Sequence, residues 1–456
     1  MPLFNPFDKP FDKIEYDDLS QLSQQGVSEG FYVEYKSQMP SNKKVAKAIS
    51  SFANTEGGIF FLGIEDDDEH NVPVAFDGMD ISGKTETKEQ IRNVVNGRIN
   101  PPPVFRTRLY PNPHEEDQAV VMVTVPRSSS TPHVTNTGRI YRRVGEGTDP
   151  YDYATDSKTI DKLTQRRESR YQNVIEFCRP DVSFTQGQDD WEFIEMYGVP
   201  STLNELVCPD VVQDLDGFRD QFSRTELDIQ IESDDGEDLE FSLELDSDID
   251  SVQTTSNGVT VHIWNRDNRG LADVTHTPTT FTFFTDGSMK CLMPIPIISD
   301  SAEYPFIHQA VDQEFNTGTR NLSLIDGANL IIDVYYYYSV YLHILEEYGW
   351  FNLEGGSLEM KIKSNNIYRS VLGFESDWYK NYVSKYGIPI CYENDIPIPR
   401  SGTMNLPVNK EEAMFKGFSV GQNILEGFGI SWDNKEEVMY DIVGEMEEQS
   451  DEWVVR

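Results

Sequence analysis

The chain has 456 residues, enough for roughly two to four domains, and sets 38 Lys and Arg against 78 Asp and Glu, a formal charge of −40. With 38% hydrophobic and 12% aromatic residues it can build sizeable cores, which excludes an intrinsically disordered polyanion. No apolar run approaches the length of about 18 residues that spans a bilayer, and Met1 to Lys13 lacks a signal-peptide pattern.

Cys178, Cys208, Cys291 and Cys391 lie too far apart for a disulfide framework or a zinc knuckle, so a cytoplasmic protein with reduced core thiols is expected. The net charge taken whole argues against nucleic acid, whose phosphates are bound by Lys and Arg, but it is unevenly spread. Residues 1–170 hold 21 basic and 26 acidic residues, whereas residues 171–456 hold 17 and 52. Only eight lysines fall in that second part. An acidic, Lys-poor surface on a folded chain points to a halophilic, archaeal type of host, where molar salt screens self-repulsion. An ordinary acidic domain is the plainer alternative.

Residues 1–14 are rich in Pro, Phe and Asp without periodicity and read as an N-terminal arm. Phe31 to Lys36 is a short strand whose alternation puts Glu34 and Lys36 on one face, Val33 and Tyr35 on the other. Ser41 is placed to cap a helix in which Val45, Ala48, Ile49 and Phe52 keep the i, i+3, i+4, i+7 spacing, with Lys43, Lys44 and Lys47 off that face. Asn54 to Gly58 ends the helix in a Gly-rich turn, and Ile59 to Ile64 is the continuous apolar run of a buried strand.

A second helix is predicted over 85–99, with Ile91, Val94 and Val95 inward and Pro101-Pro102-Pro103 as its stop. Strands Val104 to Tyr110 and Ala119 to Val125, the extended Gly138 to Gly145, and a polar helix through Ile160, Leu163 and Arg167 complete an α+β domain over 15–170. Residues 171–456 read as a larger acidic α+β region of unknown role, with room for two subdomains. There Asp234-Asp235-Gly236 marks a hairpin, Asn257-Gly258 precedes the alternating stretch Val259-Val261-Ile263, and Gly327 to Tyr348 is a long buried helix holding the Tyr335 to Tyr338 run. Asn409 with Glu412 resembles a capping box, and the tail after Trp432 is acidic and amphipathic.

Glu29, Glu34 and Asp66 stand at the ends of adjacent short elements, with Lys36 beside Glu34. Three carboxylates so placed can hold a divalent metal through hard oxygens. Such a metal would polarise a phosphodiester and acidify an attacking water, with the lysine steadying developing charge. Carboxylates at strand ends are also ordinary solubilising groups, and spacing alone does not separate the two.

The Glu29…Glu34-Tyr35-Lys36 segment, the helix ending Ser51-Phe52-Ala53-Asn54-Thr55-Glu56-Gly57-Gly58, and the strand ending Gly63-Ile64-Glu65-Asp66 together resemble the Schlafen AlbA-like domain. That nucleic-acid-binding module is often labelled a divergent AAA domain. Gly138-Arg139-Ile140-Tyr141-Arg142-Arg143-Val144-Gly145-Glu146-Gly147-Thr148 is similar to the family's closing motif, so the resemblance covers about residues 15–168.

What the resemblance implies differs among members. In the nuclease-active ones a three-carboxylate site cuts transfer and ribosomal RNA with Mg or Mn, and its acids match Glu29, Glu34 and Asp66, with Lys36 beside them. Many prokaryotic members are described only as DNA-binding or regulatory. The active vertebrate proteins pair two related lobes into a clamp; this chain has one copy, and a homodimer would restore the pair. The AAA label is not matched by a P-loop: no Gly-x4-Gly-Lys-[Ser/Thr] occurs, and Gly57-Gly58 lacks the lysine and the following helix.

Lys43, Lys44, Lys47, Arg139, Arg142 and Arg143 are the candidate phosphate contacts, extended by Arg166, Arg167 and Arg170, and Tyr141 is the candidate stacking ring, with half-buried packing as the commoner use of a Tyr in an extended segment. Ion pairing with Glu146, Asp149, Asp152 and Asp156 is the competing use of those arginines. The seven histidines lack zinc spacing, and His133 after Pro132 reads as structural. The expected protein binds RNA or DNA and no membrane. If catalytic, it is a Mg- or Mn-dependent ribonuclease acting through Glu29, Glu34, Lys36 and Asp66; otherwise it needs no cofactor. A non-catalytic DNA-binding regulator and an interaction module in a defence or stress system are the alternatives.

Overall fold

The structure is a computed structural model. It describes residues 4–9, 11–67, 69–82, 84–144, 151–153, 156–178, 192–203, 209–212, 214–223, 226–231, 239–244, 249–263, 279–298, 304–315, 322–348, 353–354, 356–392, 396–397, 402–405 and 424–430. The first elements are α1 (Gln21–Gln24), β1 (Val33–Lys36), α2 (Asn42–Asn54), β2 (Gly58–Leu62), β3 (Glu65–Asp66), β4 (Pro73–Ala75), β5 (Met79–Asp80) and α3 (Lys84–Arg98). After them come β6 (Ile99–Asn100), β7 (Arg106–Pro111), β8 (Gln118–Val125), β9 (Val134–Thr135), β10 (Tyr141–Arg143), β11 (Tyr151–Tyr153) and α4 (Ser157–Phe177).

β1 and β2 run parallel with α2 as their crossover. β2 then pairs antiparallel with β8, which also carries β7 and, at its beginning, β5. Both faces of this sheet are covered, and the period-two rule sorts its side chains between them. Phe60, Leu62, Val121 and Val123 face Ile49 and Phe52 of α2 and Val94 and Val95 of α3. Ile59, Phe61, Val33, Tyr35 and Met122 face Leu19, Leu22, Phe7 and Ile14. Two covered faces explain the uninterrupted apolar reading of β2. The described part of the expected N-terminal arm covers the sheet: Phe7 packs edge-on to Phe61 with ring centroids 6.5 Å apart.

The second sheet uses β12 (Phe193–Pro200) and, after α5 (Leu215–Ser223) and the hairpin β13 (Glu226–Ile231) with β14 (Leu239–Glu244), β15 (Ile249–Thr254), β16 (Gly258–Ile263), β17 (Thr279–Phe284) and β18 (Met289–Pro294). The remaining elements are α6 (Pro305–Phe315), β19 (Ser323–Asp326), α7 (Gly327–Glu347), β20 (Ser357–Asn365), β21 (Ser370–Gly373), α8 (Asp377–Tyr386), β22 (Ile396–Pro397) and β23 (Gly402–Asn405). Its order is β15-β16-β17-β18-β12-β20-β22, antiparallel throughout, with β23 also on β20.

α7 lies against that sheet in the large core, and Tyr335 to Tyr338 are all buried there. Tyr341 donates to the Gly287 carbonyl at 2.7 Å, and its ring fills the space over Gly198, where an added Cβ would lie 2.2 Å away. The Asp234-Asp235-Gly236 turn, Cys208, Asn409, Glu412, Gly145 to Thr148 and the tail after Trp432 lie outside the described residues. Among those described, no helix is long and apolar enough to cross a membrane.

Several contacts among the described residues join the two parts. Arg92 of α3 makes a fork with Glu354, 2.5 Å from Nε to Oε2 and 2.6 Å from Nη2 to Oε1. Phe105 and Glu354 exchange main-chain hydrogen bonds of 3.0 and 2.7 Å. The end of α4 packs Val174 and Phe177 on Tyr197 and Val199, which is why β12 is buried on both faces.

Candidate acidic site and nucleic-acid interface

Glu34 is a buried acid with a buried partner: Arg143 Nη1 donates to its Oε2 at 2.8 Å, and the two side chains are 1% and 0% exposed. The rest of the guanidinium is also engaged. Nε donates to the Gly30 carbonyl at 3.0 Å, Nη2 donates to the same oxygen and to that of Val33 at 3.2 Å, and the group lies 4.3 Å over the Phe52 ring.

The end of α2 supplies the other side of this node. The Arg143 N–H donates to Thr55 Oγ1 at 2.8 Å, and that hydroxyl donates to the Ser51 carbonyl at 2.7 Å. Asn54 donates to the His133 and Tyr141 carbonyls, each at 3.0 Å, and accepts from the His133 N–H at 2.8 Å. Gly57 takes φ of +80°, and at Gly58 a Cβ would lie 2.2 Å from the Phe52 ring, so the glycine pair permits both turn and packing. The roles of Phe52, Asn54 and Thr55 were missed in the sequence; the signals were their place in the motif that resembles the family's and a polar pair ending an otherwise apolar helix face.

Glu29 stands one residue before Gly30, on the loop that Arg143 grips, and its N–H donates to the Asn71 carbonyl at 2.8 Å. Lys36 Nζ lies 3.3 Å from Glu29 Oε1 and 3.6 Å from Glu34 Oε1, and donates to the Tyr35 carbonyl at 2.6 Å. Burial pushes the Glu29 carboxyl up to about 7; Lys36 pulls it down, while Glu34 and Asp66 push it up. Burial also raises the Tyr35 phenol, with Asp66 and Glu29 adding to the effect, so Asp66 is within electrostatic reach of both.

Glu29, Glu34, Lys36 and Asp66 therefore form one charged neighbourhood, but not the expected three-carboxylate metal cage. Their hard oxygens suit Mg or Mn chemically. One Glu34 oxygen is held by Arg143, however, and the Lys36 ammonium sits between Glu34 and Glu29, where a shared cation would be. Among the described residues no three His, Cys, Asp or Glu side chains are arranged to hold a metal. In this arrangement the residues do not fit the ion.

The basic residues divide sharply. Arg143 and Tyr141 are corrections: at 2% and 3% exposure neither reaches a phosphate or a base, because each packs against the end of α2. Lys47 lies 5.5 Å over the Tyr141 ring, half-buried. Arg142 is half-buried near Asp156, whose carboxyl it helps to hold low after the Thr159 hydrogen bonds. Arg166 Nη1 donates to the Thr55 carbonyl at 3.1 Å, satisfying the C-terminus of α2. Lys43, Lys44, Arg139 and Arg167 are exposed. His133 is structural, as expected: burial pushes its pKa down to about 4, and Nδ1 lies 2.7 Å from the Pro101 carbonyl.

Residues 29–152 match the family model described as Schlafen, AlbA_2, in agreement with the motif resemblance. No curated protein matches the chain. Among solved structures, the crystal structure of the DIP2311 protein from Corynebacterium diphtheriae is similar at 16% identity and a TM-score of 0.23. The match covers 32% of this chain and 30% of that one, so the chain spans less than a third of that protein's length.

Two outcomes follow for the site. Glu34→Ala strands a buried guanidinium and should destabilise the protein by about 3–5 kcal/mol, measured by denaturant titration; an unchanged midpoint would show that the pair is not structural. The Glu29 carboxyl sits above its unfolded value of about 4.3, so the folded state binds the extra proton, and stability falls as pH rises from there to about 7. Glu29→Gln should flatten that decline in thermal melts between those pH values, and a melting temperature still falling in parallel with wild type would assign the decline elsewhere.

Proposed function

We propose that residues 15–170 form a nucleic-acid-binding domain, and that the protein works by holding RNA or DNA against the surface that begins at the N-terminus of α2. The observation that carries this reading is the family match over residues 29–152. The exposed cations support it: Lys43 and Lys44 occupy the first turn of α2, and Arg139 the turn between β9 and β10. Exposed cations on a chain of charge −40 are suited to phosphate, since they position a backbone without reading its sequence.

Metal-dependent RNA cleavage is the second reading, favoured by the crowding of Glu29 with Glu34 and Asp66 beside a lysine. It requires Lys36 to leave Glu29, so that Glu29 and Asp66 become the available ligands for Mg or Mn. Glu34 then serves by fixing the loop that carries Glu29. A non-catalytic DNA-binding regulator needs no such rearrangement.

Fluorescence anisotropy with labelled transfer RNA and duplex DNA over a KCl series tests the binding. Lys43→Glu with Lys44→Glu should weaken it and reduce the slope of log K against log salt by about one unit per lost contact; identical curves would sink the interface. Cleavage is scored in the same samples with Mn. Loss of Mn-dependent product in folded Glu29→Gln and Asp66→Asn supports the nuclease, and binding without product in wild type leaves the regulator.

A further inference from the structure

A shallow cleft of about 430 Å³ opens beside Lys43 and Lys44, between the start of α2, the outer side of α3 and the turn after β9. It is lined by Asn42, Gln90, Asn93, Gly97, Arg98 and Asn136. Four amides and a guanidinium thus converge on one space, and among the described residues none of these five side chains forms an ion pair or a hydrogen bond. The turn is held in place by main-chain bonds, Asn136 N–H to the Arg98 carbonyl at 2.7 Å and Thr135 N–H to the Arg139 carbonyl at 2.9 Å. Those bonds fix Asn136 over the end of α3 and bring exposed Arg139 to the same rim.

Gly97 is the second, independent observation. It lies in the last turn of α3, where glycine is a poor choice for the helix, and the fold does not require it. Its φ is not in the left-handed range, and a Cβ there would meet nothing within 4 Å. At Gly58 and Gly198, by contrast, a Cβ would strike a ring at 2.2 Å. A bare Cα facing an open polar cleft is what a flat group needs to approach a helix backbone closely.

We propose that this cleft seats one unpaired base of a single-stranded nucleic acid, a claim that rests on the nucleic-acid reading above. The base lies over Gly97 and the edge of Val94. Its edge meets the amides, which offer donors and acceptors side by side, and the flanking phosphates meet Lys43, Lys44 and Arg139. Glu89 also lines the cleft. A carboxylate only accepts, so it favours the amino-bearing bases adenine, cytosine and guanine over uracil. A duplex keeps its Watson–Crick edges paired and unavailable to the amides, which makes the site selective for unpaired strands.

The test uses the full chain with labelled 12-nucleotide RNA and DNA strands and the corresponding duplex. Gly97→Leu fills the open space, improves helix propensity and should keep or raise the melting temperature. It should weaken binding of RNA, DNA or both single strands about tenfold, with duplex affinity unchanged within about twofold. Asn93→Ala, which leaves the helix backbone untouched, should weaken the same strands in the same direction. If both variants bind single strands as wild type does, the cleft is not a base site although the nucleic-acid reading stands. If wild type binds no nucleic acid, both fall.

Discussion

The first α+β unit is organised around one interaction: a carboxylate and a guanidinium removed from water together. Desolvating two such ions costs several kcal/mol each, and their attraction offsets this only when every remaining donor finds a partner. Here Arg143 gives its other N–H groups to the carbonyls of Gly30 and Val33 and lays its face on Phe52. The pair therefore fastens three segments far apart in the chain: the lead into β1, the C-terminus of α2, and β10. Glu29 stands on the first of these, so its distance to Lys36 is set by a bond it does not itself make.

This explains why so much of the architecture was legible in the sequence and so little of the site. β1, α2, β2, α3, β8 and α7 follow from periodicities confined to ten or twenty residues, and each lies within a few residues of its expected span. The fate of Glu34 depends instead on an arginine 109 positions away. Nothing local separates a carboxylate that binds metal from one that binds Arg143. The basic cluster misleads for the same reason: counting arginines from 139 to 170 does not reveal that Arg143 and Arg166 are spent on carbonyls and carboxylates inside the protein. Gly97 was equally silent, because its meaning lies in what is absent around it.

The motifs shared with the AlbA_2 family take on a physical sense from this node. Phe52 is the surface under Arg143, Asn54 and Thr55 pin β10 and His133, and Gly57-Gly58 makes room for the Phe52 ring. They form one contact assembled from three places in the chain, so their appearance together in order is expected of any sequence that builds it. Such a motif is strong grounds for the fold and weaker grounds for cleavage, because the residues that would face a substrate, Glu29, Lys36 and Asp66, are only a small part of it.

The acidic second unit is not simply attached to this assembly. Arg92 of α3 is held by Glu354 in a two-pronged pair, and Phe105 and Glu354 share main-chain bonds. Arg92 is the immediate neighbour of Asn93, so the helix that forms one wall of the amide cleft is anchored from the second sheet. α4 repeats the arrangement from the other end, with Arg166 on the carbonyls that end α2 and Phe177 against Tyr197. A displacement of the second sheet would reach the two ends of α2 through the helices α3 and α4. The strongly negative unit bears on the first sheet by where it holds α3 and α4. Its charge, screened beyond about 8–10 Å at moderate salt, acts on the first unit only near the seam.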